Sequence, residues 1–152
     1  MLRRLVAALA AIVLAGEAAV LVLVHVVLGR TTANQSMSIA GSDPEIMSKA
    51  TYGMGAGTGA FLLLCAVLLA LAALRDRAPG RPARIVLVAA AVTHGVLGTL
   101  AVALVGWAAF VVLMLILCLL VLVLVLYAAG PGRPEVQDAP PPPLGGLRPT
   151  NP

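Results

Sequence analysis

Apolar residues run along this chain in long blocks separated by short polar stretches. Four blocks, 5–28, 51–74, 85–104 and 108–128, reach the roughly 20 apolar residues that carry a helix across a bilayer. The last two belong to one apolar run, 85–127, which as a single helix would be roughly 65 Å long. A hydrocarbon core of about 30 Å does not hold that length. The weak point is Val105-Gly106-Trp107, so a very tight turn is predicted there. The pattern predicts an all-α, four-helix transmembrane bundle over 1–129, with a disordered Pro-rich tail over 130–152.

Composition narrows the class. The 152 residues are 61% hydrophobic and 11% charged, against about 45–50% and about 25% in soluble domains. A water-soluble globule is excluded, and too few residues remain outside the spans for a second core.

Charge then orients the bundle. The net +4 comes from ten Lys and Arg against six Asp and Glu, with the cations at block edges. With both termini cytoplasmic, Arg3, Arg4, Arg75, Arg77, Arg81, Arg84, Arg133 and Arg148 lie inside and only Arg30 and Lys49 outside. That is a positive-inside bias and orients both termini inward. The excess of Arg over Lys and the abundance of Ala, Gly, Val and Leu fit a GC-rich coding sequence, so the expected location is a bacterial plasma membrane. Tyr52 and Trp107 fall at the outer interface and Tyr127 at the inner one, where aromatic rings collect. No basic stripe interleaved with aromatics is present, so nucleic acid is not an expected partner. The expected surroundings are the lipid bilayer and a second copy or another membrane protein. The first block outruns the 7–15-residue core of a signal peptide and reads as an anchor. Cys65 and Cys118 lie inside apolar blocks and report no redox compartment.

Between the blocks, Asp43-Pro44-Glu45 is a helix-start signal, so the second helix is predicted to begin near Pro44. The 75–84 loop is a Pro/Gly turn with four Arg, suited to anionic lipid heads at about 1 kcal/mol per basic residue.

One ionisable residue stands out by depth. Glu17 lies roughly 18 Å into the first span and His94 about 14 Å into the third, measured from the same edge. A charge there costs about 2.5–3.5 kcal/mol and marks a candidate functional site. Two readings are open: a hydrogen-bonded pair that glues helices together, or a proton or ion pathway. Thr93, Thr99, Cys65 and Cys118 add weak polar groups at neighbouring depths. His25, near the outer end of the first span, reads as an interfacial side chain. Met37, Met47 and Met54 share its side, and thioethers with imidazole suit Cu(I), but the spacing matches no metal-ligand motif. No cofactor is expected.

The 53–59 stretch resembles a nucleotide loop only in glycine content, since it lacks Lys-Ser/Thr and a preceding strand. Gly53 with Gly57, and Gly55 with Gly59, are four apart and predict close helix packing, as do Ala91, Gly95 and Thr99. No nucleophile-and-base arrangement has usable spacing, so an enzyme is not expected.

Met1-Leu2-Arg3-Arg4 leading into an Ala/Leu/Val span, the 15–20 stretch Ala-Gly-Glu-Ala-Ala-Val, and the Arg/Pro loop resemble small four-span membrane proteins of unknown function from high-GC actinobacteria. The short four-helix plan with one embedded Glu in the first helix is also similar to small multidrug resistance transporters. That resemblance implies Glu17 as a proton-exchanging residue, usually in a dimer. The chain differs from that family in its long polar outer loop and single strong orientation. The expectation from the residues is a non-enzymatic accessory or scaffold subunit, with a small proton-coupled transporter as the alternative.

Overall fold

A computed structural model of the chain describes residues 1–34, 41 and 43–128. The Pro-rich segment 130–152 and Met37 lie outside the described residues. The described chain is all-α, in the order α1 (Leu2–Asn34), α2 (Pro44–Arg75), α3 (Arg81–Leu104) and α4 (Trp107–Ala128). All four helices are long and apolar enough to span a membrane.

The helix boundaries have local causes. Asp43 accepts a hydrogen bond from the Glu45 N–H at 2.8 Å and Pro44 takes the first helical position, so α2 starts where its capping residues stand. It ends at Asp76, whose φ of 49° is left-handed. The 85–127 run breaks where expected. Ala101 O accepts from both Val105 N–H and Gly106 N–H, at 2.9 and 2.7 Å, and closes α3. Gly106 then turns the chain with φ of 116°, a conformation that L side chains rarely adopt.

The helices exceed the predicted spans chiefly at one end. α1 begins at Leu2 and runs past residue 28 to Asn34, and α2 begins at Pro44, as its cap predicts, ahead of the apolar block at 51. Polar residues there still satisfy their backbone within a helix, so the helix outlasts the apolar block. Glu17 and His94 mark a common level; from it α1 continues to Asn34 but α3 only to Leu104. The α1–α2 pair therefore projects roughly 10 Å beyond the α3–α4 turn.

Packing is closest within two antiparallel pairs, α1 with α2 and α3 with α4. α1 also touches α4, and α2 touches α3 slightly, which leaves α1/α3 and α2/α4 as diagonals with no Cα–Cα approach within 8 Å. Leu14, Leu69, Leu87, Leu120 and Val123 fill the axis, with alanines between them. The outer faces are apolar on every helix, as at Leu23 (64% exposed), Leu63 (49%), Val92 (61%) and Leu115 (60%). Soluble monomers rarely expose contiguous apolar patches beyond a few hundred Å², so these faces suit lipid.

Candidate functional site

Glycine determines how α1 and α2 approach. A Cβ on Gly55 would collide with His25 Cβ, one on Gly59 with Val22, and one on Gly29 with the Tyr52 ring. Ser48 Oγ donates to Gly29 O at 2.8 Å and ties the same surfaces together. The expected packing role thus belongs to Gly55 and Gly59. Gly53 and Gly57 differ from the expectation: they meet nothing within 4 Å and pack no helix of this chain. Two residues along a helix is a turn of about 200°, which puts them on the opposite face. On α3, Ala91 is buried and Gly95 faces Leu117 at 3.8 Å, while Thr99 is exposed. The tight position of that helix is Gly98, where a Cβ would collide with Met114, a residue that the four-residue stripe from Ala91 steps past.

With the pairs set, Glu17 of α1 and His94 of α3 reach across one diagonal. Glu17 Oε2 lies 3.0 Å from His94 Nε2, and their side chains are 15% and 3% exposed. His94 Nδ1 lies 2.7 Å from Ala90 O. A carbonyl only accepts, so Nδ1 carries hydrogen. One further proton then belongs to the Nε2–Oε2 contact. Either Glu17 donates it as a carboxylic acid to Nε2, or His94 donates it as an imidazolium to Oε2. The pair is neutral overall in both forms, which is what a low-dielectric core tolerates. No buried side-chain polar atom among the described residues lacks a partner.

The other polar groups at this depth stay with their own helices. Thr93 Oγ1 donates to Ala89 O and Thr99 Oγ1 to Gly95 O, at 2.9 and 2.7 Å. Cys65 is buried in the core and Cys118 is exposed on α4, both as free thiols. His25 is half-buried against α2 and donates from Nδ1 to Leu21 O at 2.7 Å. Among the described residues no group of three or more His, Cys, Asp or Glu is placed to hold a metal ion.

A second cluster, not anticipated from the sequence, closes the arginine-rich end. Arg3 forms a two-pronged ion pair with Asp76, Nε–Oδ1 2.8 Å and Nη2–Oδ2 2.9 Å. The guanidinium holds the Asp76 carboxyl below its ordinary range. The last carbonyls of a helix lack intrahelical donors, and here side chains supply them. Arg4 Nε donates to Ala73 O at 3.0 Å and Tyr127 Oη to Ala72 O at 3.1 Å. The Arg3 guanidinium also lies 5.8 Å from the Tyr127 ring centroid. Tyr127 is 6% exposed, so its ring is packed within the bundle at the arginine-rich end. Tyr52 packs on Gly29, and Trp107 is exposed beside Phe110, edge to face at 5.8 Å. A cation two residues from the chain start reads as a topology marker in sequence; its pairing with Asp76 emerges only once α1 and α2 are antiparallel. No family model, curated protein or solved structure matches this chain.

Proposed function

We propose that the protein is a non-enzymatic multi-pass membrane protein, an accessory or scaffold subunit, in which Glu17–His94 is a structural clasp. One observation carries this reading: the pair is directly bonded and set across the α1/α3 diagonal, where it joins helices whose backbones do not meet. Interhelical hydrogen bonds of this kind hold membrane bundles at about 0.6–2 kcal/mol each. The arginine distribution supports cytoplasmic termini, and the GC-rich character of the composition supports a bacterial plasma membrane. The accessory role implies a second copy or another membrane protein as partner.

A second reading, a small proton-coupled transporter, is favoured by Glu17 itself. Its side chain keeps 15% exposure, and the single proton in the contact has two possible owners. The experiment that separates the readings is proton flux in proteoliposomes under an imposed pH gradient. The clasp reading expects flux equal to protein-free liposomes for wild type and Glu17→Gln alike. Flux above that background, abolished by Glu17→Gln, establishes the transporter and sinks the clasp.

A further inference from the structure

The 75–84 region carries Arg75, Arg77, Arg81 and Arg84, and none has an acidic partner within 4.0 Å among the described residues. The acidic residue of that loop, Asp76, is already committed to Arg3. Arg81 and Arg84 differ from the other two in what lies beside them. They share one face of α3 with Ile85 and Val88, and these four residues line a shallow groove open to the exterior. Ile85 is 69% and Val88 44% exposed, and the face continues to the exposed Val92. Residues three and four apart on a helix are neighbours, so the Arg81 and Arg84 side chains start from adjacent positions on this face. Charge at the helix start followed by an apolar channel along the helix axis repeats the order of a phospholipid, phosphate above acyl chain. A soluble anion uses only the first half of such a site.

We infer that the Arg81–Arg84–Ile85–Val88 face of α3 is a binding site for one anionic phospholipid, its headgroup phosphate on the two guanidiniums and an acyl chain along Ile85 and Val88. The inference rests on the membrane reading of the fold and is independent of the Glu17–His94 pair. Charge complementarity identifies the occupant: two cations without an acidic partner at this face, two more in the adjoining loop, and no competing carboxylate lining the groove among the described residues.

The test uses the full chain in mild detergent, with phosphatidylglycerol or phosphatidylcholine of the same acyl composition added and retained lipids counted by native mass spectrometry. Phosphatidylglycerol binds more tightly than phosphatidylcholine. Arg81→Gln and Arg84→Gln each weaken it about fivefold, and Arg75→Gln with Arg77→Gln weakens it less. Val88→Trp, which fills the groove at unchanged charge, also weakens it. All these side chains are exposed, and unchanged helical circular dichroism verifies each variant's fold. Equal retention of the two lipids overturns the proposal, as does equal loss on removing Arg75 and Arg77. So does displacement of the lipid by millimolar inorganic phosphate, which would mark a free-anion site. A large gain in binding from Glu135→Gln with Asp138→Asn would instead assign the site to the chain's own tail, and an unchanged affinity in that variant supports the lipid.

Discussion

Tyr127 of α4 donates its phenolic proton to Ala72 O of α2 at 3.1 Å, across the one diagonal of the bundle that Glu17–His94 does not span. Each diagonal thus has a single side-chain hydrogen bond, one at mid-depth and one at the arginine-rich end. Helix pairs that pack through alanine and glycine along their lengths are hydrogen-bonded across the diagonals at these two points, in addition to the α1–α4 and α2–α3 packing.

Tyr127→Phe keeps the ring and removes the donor. Ala72 O, in the last turn of α2, then has no partner in a site that excludes most water. The expected cost is about 1 kcal/mol, read as a lower thermal unfolding midpoint in detergent. An unchanged midpoint would show that the bond contributes nothing to holding α4 on α2.

Gly55 and Gly57 are two residues apart with opposite surroundings. Gly55→Ala drives a methyl into His25 Cβ, which cannot swing away, so α1 and α2 must separate at a cost of about 1–3 kcal/mol. Gly57→Ala meets open space and gains helix propensity of up to about 1 kcal/mol. Thermal midpoints of the two variants should move in opposite directions, and a shared direction would refute the α1–α2 packing described above.

The Arg3–Asp76 pair predicts a pH dependence with a definite sign. Arg3 lowers the folded-state pKa of Asp76, so the pair's stabilisation is fully present above the ordinary Asp value of about 3.9 and fades as pH falls through the lower folded value. Stability measured downward from about pH 5 should therefore decline more steeply in wild type than in Asp76→Asn, which tolerates the left-handed backbone and carries no charge. Parallel profiles would mean that the pair does not persist in solution. The carboxylate is well hydrated, so the difference is small.

Much of this was legible beforehand, for reasons that individual residues make plain. The turn at Gly106 followed from bilayer thickness, because 85–127 is too long to cross once. The meeting of Glu17 and His94 followed from counting residues from a common edge, since helical rise converts position into depth. What escaped were relations that depend on rotation about an axis. Four glycines at alternate positions, 53 to 59, carry no marker of which pair faces α1. Arg3, Asp76 and Tyr127 each had a plausible solitary role at an interface, and only antiparallel pairing with matched helix lengths puts them in one cluster. The extension of α2 to Pro44 was readable from its cap, whereas that of α1 to Asn34 had no such signal.

The claim that Glu17 and His94 act together is tested most directly by a double-mutant cycle on unfolding stability, using Glu17→Leu, His94→Leu and the double variant. Each single change leaves the other polar group unpaired in the core, and the double change removes both. A coupling energy of about 1–2 kcal/mol is expected, with the double variant more stable than the sum of the single losses implies. Simple additivity, within about 0.3–0.5 kcal/mol, would contradict the clasp.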